Sequence, residues 1–531
     1  MIRIGQLKVN VPHTQGDLEQ EILKVLKIKQ SDLISWELVK QSVDARKKPQ
    51  IKFVYTVDVK VKGQESVLRR AKAANIQKAE KKEYHFPKQG SCRLSRRPVI
   101  IGTGPAGLFC GLALARAGYC PVILERGDCV EERQKKVEFF WKTGILDETS
   151  NVQFGEGGAG TFSDGKLNTA VKDSTGRNRY VLESFVGAGA PEEILWLNKP
   201  HIGTDILRDV VKNIREEILA LGGDVHFRSR MTDIQIEKGG VSAVEINHGI
   251  WIPCDVLVLA IGHSARDTFE MLNRKAVAME AKSFAVGVRI EHPQNMIDFS
   301  QYGRERGNVL PAADYKLTRR LENGRGCYSF CMCPGGYVVN ASSEQGMLAV
   351  NGMSYHDRGG ANANSAMVVT VNPADYGGKD VLAGMHFQRK LEEAAYRAGD
   401  GKVPVQLLGD FCQGIASRAA GEVEPGIKGE FVYADLKSCF PQELYESLKE
   451  GILGCGQIIR GFDRKDAVLS GVESRTSSPV KIPRNEELQG SVAGIYPCGE
   501  GAGYAGGITS AAMDGIKVAE AVMRRYAPSV V

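Results

Sequence analysis

Three glycines constrain this chain more than any other feature in it. Gly102, Gly104 and Gly107 stand as G-x-G-x-x-G directly after the apolar run Val99-Ile100-Ile101. Helix-spaced apolar residues follow, among them Leu108, Leu112 and Ala115. A second apolar run, Val122-Ile123-Leu124, then ends in Glu125. Strand, glycine turn, helix, strand and acid in this order make a dinucleotide-binding unit. Gly102 makes the tight turn, Gly104 lets backbone approach a pyrophosphate, and Gly107 lets helix and strand pack closely. The phosphates then sit on the positive end of the helix, at Pro105 and Ala106. Glu125, eighteen residues after Gly107 (125 − 107), stands where a carboxylate accepts hydrogen bonds from a ribose, with Arg126 beside it.

Two more glycine-rich stretches belong with the first. Asn151 to Asn168 reads NVQFGEGGAGTFSDGKLN. Its glycines let consecutive N–H groups point at a ligand, so Gly157, Gly158, Gly160, Thr161, Ser163 and Lys166 are expected at a binding site. Near the C-terminus, Ile495 to Cys498 reads as a short strand before Gly499 and Glu500. Gly506, Gly507 and Ile508 then open a helix of small residues. The unpaired N–H groups of that helix start favour an anion. Asp255 to Ile261 is a nearly continuous apolar run, suited to a buried parallel strand. The residues around its end, Ala260, Gly262 and His263, are expected to face the ligand crevice. Met231 joins the candidate binding set. Thr204 is a plausible cap for a helix running through Ile206, Val210, Ile214 and Ile218.

The length of 531 residues suggests two to four domains. A net charge of +6 is too mild for a general nucleic-acid binder. The charge is uneven, since Lys40 to Arg97 holds 17 Lys or Arg against 5 Asp or Glu. The twelve cysteines are scattered. The opening MIRIGQLKVNV lacks a basic-then-apolar signal pattern, so a reducing cytoplasmic setting is expected. The one tempting apolar stretch, Pro98 to Gly118, contains Pro105 and Arg116 and reads as the nucleotide turn, so no membrane span is expected.

These signals divide the chain. Residues 1–90 read as a small basic α+β domain, with strict alternation from Ile51 to Val61 and a basic helical stretch from Ser66 to Glu83. Residues 91–283 and 465–531 read as two parts of a nucleotide-binding domain. Residues 284–464 read as an inserted cap of mostly antiparallel strands. The cap contains Cys331-x-Cys333, which a regular strand places on one face, and the polar loop with Tyr355, His356 and Arg358. Buried, inert cysteines are the plain reading of that pair, because neither a low thiol pKa nor exposure is visible in sequence. No further metal ligands accompany them. The basic helical stretch reads either as a solvated or docked face, or as a docking surface for RNA or a protein partner.

Taken together, GTGPAG at Gly102–Gly107, Glu125, LVLAIG at Leu257–Gly262 and GEGAGYAGG at Gly499–Gly507 resemble FAD enzymes of the glutathione-reductase type with a single nucleotide domain and an inserted cap. More closely, GEGGAGTFSDGKL, KPHIGTD, GHSARD, FCMCPGG and GEGAGYAGGITSAAMDG are similar to a bacterial group of FAD-dependent dehydrogenases. That resemblance covers nearly the whole chain. It implies an α/β fold with a Rossmann-like FAD domain, and FAD as cofactor. It places Gly102, Gly104 and Gly107 at the pyrophosphate, Glu125 at the adenosine ribose, and Glu500 at the ribitol or pyrophosphate. It places Gly506, Gly507 and Ile508 at the pyrimidine edge of the flavin. It implies an oxidoreductase moving a hydride between flavin N5 and a small-molecule substrate, with NAD(P)H bound transiently, since no second strand-bound G-x-G-x-x-G is present. Candidate acids or bases are His263, His356, Lys166, Tyr355 and Arg358. A flavin monooxygenase, or a flavin-binding partner module using the basic N-terminal domain, are the alternatives.

Overall fold

The computed structural model describes residues 1–71, 74–80, 83–378 and 380–528. The strands Val99–Ile101, Val122–Leu124, Asp224–His226, Leu257–Leu259 and Ile495–Pro497 form a five-stranded sheet in which every pairing is parallel. All but Asp224–His226 are buried or nearly so, as a sheet covered by helices on its faces requires. The first strand lies in the middle, and the last, Ile495–Pro497, joins one edge. The helices Pro105–Arg116, Thr204–Ala220 and Ile508–Arg525 share one hydrophobic core on this sheet. Glycine sets the closest crossing. A Cβ at Gly515 would stand 2.1 Å from the Ala106 carbonyl oxygen, so the last helix rides directly on the first.

A second, seven-stranded sheet follows the order Thr318–Arg320, Gly326–Cys333, Asn362–Val371, Phe284–Pro293, Val468–Glu473, Val403–Leu407, Phe431–Tyr433. All its pairs are antiparallel except the last. Its central strands Phe284–Pro293 and Asn362–Val371 are buried almost throughout, because helices and loops cover both faces. Val468–Glu473 belongs to this sheet, so the chain leaves the cap several residues beyond the 464/465 break suggested by the sequence. The strands Met231–Glu237, Gly240–Ile246 and Ile250–Pro253 pair in turn as an antiparallel meander.

The described residues from 2 to 78 form a four-stranded antiparallel sheet with two α-helices, Gln15–Leu26 and Gln64–Arg70. The alternation from Ile51 to Val61 is realised in the strand Lys52–Val61, with Ile51, Phe53, Tyr55, Val57, Val59 and Val61 all buried. The basic helix is shorter than its charge pattern suggests. It spans Gln64–Arg70 and gives way to the strand Ile76–Lys78, which pairs with Ile2–Ile4. Lys72, Ala73, Lys81 and Lys82 of that stretch lie outside the described residues. This unit is joined to the rest. Its buried side chains run into one hydrophobic cluster with those of the seven-stranded sheet. The Gln41 N–H donates to the Trp196 carbonyl at 2.7 Å.

The segment after it straps the last helix. Tyr84 donates to Glu520 at 3.0 Å, the Gly90 N–H to the Met523 carbonyl at 2.7 Å, and Cys92–Arg93 pairs in parallel with Tyr526–Ala527. Among the described residues, no helix is long and apolar enough to cross a membrane.

Candidate functional site

The parallel strands end in a cleft of about 360 Å³ that lies between the two large sheets. Ile101 and Gly102, Leu124 and Glu125, Ala260 to Gly262, and Cys498 follow four adjacent strands into it. This is the carboxyl edge where open α/β sheets place their ligands. From the cap side, Phe330, Cys331, Asn351, Glu473, Arg475 and Thr476 line the same space.

The first glycine turn is built as its spacing requires. Gly102 has φ +99°, and a Cβ there would lie 2.4 Å from the Ala260 carbonyl oxygen. A Cβ at Gly107 would lie 1.9 Å from the Gly102 carbonyl oxygen, so this glycine serves packing and does not line the cleft. Gly104 is different, because its nearest neighbour would be Gly158 Cα at 4.0 Å. Gly262 and Gly506 likewise have nothing within 4 Å where a side chain would stand. Open backbone at these cleft positions leaves room for a ligand pressed against the chain. The first turns of the helices Pro105–Arg116 and Ile508–Arg525 aim their positive ends at that room.

The loop after Asn151 is held from behind by a residue that sequence patterning did not single out. Arg133 is fully buried. Its guanidinium donates to the carbonyls of Asn151, Val152, Gly155, Glu156 and Gly158, at 2.6 to 3.2 Å. Burial lowers its pKa to about 10, against the opposing charges of Glu125 and Glu156. Five carbonyls turned inward leave the opposite side of the loop free to face the cleft. Its only signal in sequence is a lone Arg in a charged helix, Val130–Thr143.

Glu125 is 5% exposed and lines the cleft. Its carboxylate already accepts from Thr103 N and Oγ1, Gly127 N and Gly155 N, at 2.7 to 3.0 Å. It therefore knits three loops together, and a ribose hydroxyl would have to share these oxygens. Arg126 stacks over Phe154 at 4.3 Å and bonds Asp267 and Thr268.

Of the other expected residues, Pro105, Ala106, Gly158, Gly160, Ser163, Lys166, Met231, Ala260, His263, Glu500, Gly507 and Ile508 line the cleft. Gly157, Thr161 and Gly499 do not. Gly157 takes φ +81° to support the loop, Thr161 is buried and donates to the Glu156 carbonyl, and a Cβ at Gly499 would press on Ala106 Cβ at 2.6 Å. Thr204 is the first helical residue, and Gly203 caps the helix instead, because the Thr204 hydroxyl is used on the Thr161 carbonyl at 2.6 Å.

His356, Tyr355 and Arg358 stay outside the cleft lining. His356 stacks on His201, and Arg358 forms a two-bond ion pair with Asp164. Burial raises Asp164, but the charges of Arg358 and Lys166 outweigh it and hold its carboxyl below the usual range.

Sequence reading missed Glu473 and Arg475, and did not single out Gln153 and Ser264 within the cleft-facing stretches that hold them. Arg475 pairs with the fully buried Glu392, which also takes Arg266, and it reaches Ser264 and Ser343. This network ties the cap to the loop after Leu257–Leu259. His263 is 9% exposed and lies with Nδ1 3.1 Å from Glu500 Oε1, yet neither ring nitrogen has a partner in hydrogen-bond geometry. An imidazole buried in this state at a cleft wall is ready for a ligand.

Residues 283–476 match a family described as "FAD-dependent protein, C-terminal domain-like", and residues 1–60 match a domain of unknown function, DUF8436. Among solved structures, the chain is similar to E. coli quinol fumarate reductase FrdA, with 12% identity, coverage of 81% and 70% of the two chains and a TM-score of 0.34. It is also similar to the Bacillus halodurans glycerol-3-phosphate dehydrogenase complexed with FAD, with 12% identity, coverage of 82% and 65%, and a TM-score of 0.32. A protein of Clostridium beijerinckii is 49% identical over 530 residues, 99% of each chain. The glycine cradle suits a dinucleotide, the matched family is FAD-dependent, and FAD is the cofactor. The chain belongs to the family of the Clostridium beijerinckii protein, and it is a flavoprotein.

Proposed function

We propose that the protein is an FAD-dependent oxidoreductase of the glutathione-reductase type, moving a hydride between the flavin and a small-molecule substrate admitted from the cap side. The observation that carries this reading is the shared cleft, with the glycine cradle on one wall and polar cap residues on the other.

When bound, FAD supplies a ring that accepts or donates a hydride. The chain's own residues do the rest. Gly102, Gly104 and Ala106 would hold the phosphates at the helix start, with Glu125 near the ribose. Gly506, Gly507 and Ile508 would present N–H groups, and the 18-residue helix behind them favours negative charge at that point. His263 and Glu500, with Nδ1 and Oε1 3.1 Å apart, bring polar side chains to the same part of the cleft. Met231 and Phe330 bring apolar surface to the cleft and exclude water. NAD(P)H would reach the flavin transiently through the same opening.

Purified protein should carry, or take up, a yellow flavin with bands in the visible region. Anaerobic titration with NADH and NADPH should bleach it, and a screen of oxidants should then restore it. A protein that binds no FAD under these conditions overturns the proposal.

A further inference from the structure

The cap delivers two sulfurs to the flavin cleft. The strand Gly326–Cys333 pairs regularly with Asn362–Val371 from Cys327 to Phe330, and then slips before Cys333 meets Asn364. Cys331 lies in the slip, at φ +48°. A regular strand would hold the two Cα atoms about 6.6 Å apart, at the outer edge of the disulfide range. The left-handed residue interrupts the regular strand, so the two sulfurs do not share one strand face as the sequence pattern suggests. Cys331 is half-buried and lines the cleft, whereas Cys333 is fully buried behind it. Both are free thiols.

The surroundings are those of reactive sulfur. Arg289 is fully buried. Its Nη1 donates to the Cys331 carbonyl at 3.2 Å and stands 4.0 Å from Cys333 Sγ, while its Nε donates to Glu473 at 2.8 Å. The Cys333 thiol donates to the Cys331 carbonyl at 3.3 Å; the neighbouring Cys333 side chain, with the positive charges of Lys166 and Arg289, holds the Cys331 thiol below its ordinary range against burial. Asp164 and Glu473 oppose them. Cys333 is correspondingly pushed up. A half-buried sulfur lining the cleft in front of a fully buried one is the arrangement of an attacking and a resolving thiol. His263, with both nitrogens unpartnered, stands on the same cleft wall.

We propose that Cys331 and Cys333 are a redox-active dithiol pair of the flavin cleft, and that the substrate of the cleft is a disulfide. The inference rests on the oxidoreductase reading above for its source of electrons. Cys331 Sγ attacks one sulfur of the substrate as a thiolate. The substrate S–S bond breaks, one thiolate leaves, and a mixed disulfide forms on Cys331. The Cys333 thiol gives its proton to the departed thiolate and attacks Cys331 Sγ, and the second substrate thiolate leaves. The substrate has gained two electrons and the pair has lost them. Two electrons and one proton from reduced FAD then break the Cys331–Cys333 bond, restoring a thiolate at Cys331 and a thiol at Cys333.

The test uses the full chain with FAD, equilibrated anaerobically in reduced and oxidised dithiothreitol, quenched with acid, alkylated and mapped by peptide mass spectrometry. A single two-electron transition should appear, with a Cys331–Cys333 disulfide in the oxidised arm. It should vanish in Cys331→Ser, a variant that still takes up FAD. Cys333→Ser exposed to glutathione disulfide should trap one glutathione on Cys331. Alkylation of Cys331 should rise less steeply between about pH 6 and 8 than that of an ordinary thiol, which quickens roughly tenfold per unit below its pKa.

The proposal is overturned if both cysteines stay reduced in the oxidising arm while FAD is bound, or if Cys333→Ser takes up no glutathione. FAD uptake is read separately by absorbance. Failure to bind FAD with an intact sulfur transition would sink the flavin reading and leave the pair standing.

Discussion

Glycines of the same motif do different work, and substitution should separate them. Gly104 faces open space, so Gly104→Val should fold normally and lose FAD affinity by tenfold or more in a flavin titration, because the side chain would occupy the approach of the phosphates. Gly107 faces the Gly102 carbonyl at 1.9 Å, so Gly107→Ala should instead lower thermal stability by about 1–3 kcal/mol, through overpacking. A Gly104→Val protein that binds FAD as well as the parent would refute the cradle.

Glu291 offers a test by pH. It is fully buried, accepts from Asn362 and the Gly426 N–H, and leaves Oε1 unpartnered. Burial pushes its pKa up to about 7, against those two hydrogen bonds. The folded protein thus keeps a proton that the unfolded chain releases near pH 4.5. Stability from this group is complete below that value and is lost as pH rises to about 7, for a total of about 3 kcal/mol. Glu291→Gln should remove this slope, and be more stable than the parent at pH 8 in urea melts compared across pH.

The sequence shows elements most clearly where a local rule repeats along the chain. The alternation of Ile51 to Val61 and the run Val99 to Gly107 could be read directly, since period and spacing are properties of neighbouring residues. What could not be read is what distant residues impose. The charges after Arg70 resemble a continuing helix, but the backbone there turns to pair with Ile2–Ile4. Cys331-x-Cys333 resembles a regular strand, but a slip in pairing sends one sulfur to the cleft. Arg133 resembles any surface arginine of a charged helix, and only the folded loop reveals its five carbonyls.

The loop supported by Arg133 should fail as a unit. Arg133→Met leaves those carbonyls without their donor. Arg133→Lys keeps the charge but loses the planar fork that reaches several oxygens at once. Both should weaken FAD binding at least tenfold and open residues 151–166 to limited proteolysis, with Lys the milder. Equal protease resistance in parent and variants would show that the loop holds itself.

Across the molecule, the N-terminal sheet is part of the body's packing. It shares a hydrophobic cluster with the cap and bonds Trp196 through Gln41. Deleting residues 1–71 should bare that surface, lower the melting temperature and promote aggregation, yet spare FAD binding in what stays soluble. Deleting residues 1–97 removes Tyr84, Gly90 and Cys92 as well. That loosens the C-terminal helix whose other end faces the flavin site, and FAD binding should fall with it. Equal FAD affinity in the two truncations would show that the strap has no part in the site.

The cleft also fixes when it can exist during synthesis. One wall comes from Gly102 to Arg126, and its partner, Cys498 to Ala511, lies far later in the chain. The strand Ile495–Pro497 and the helix Ile508–Arg525 complete the sheet and cover the first helix only then. Until that segment is made, the nascent chain carries half a nucleotide site, an exposed sheet edge at Leu257–Leu259 and two unguarded thiols at Cys331 and Cys333. Flavin cannot be held by both walls before that segment is made, and the interval before it is when the chain is most open to chaperones, to oxidants and to aggregation.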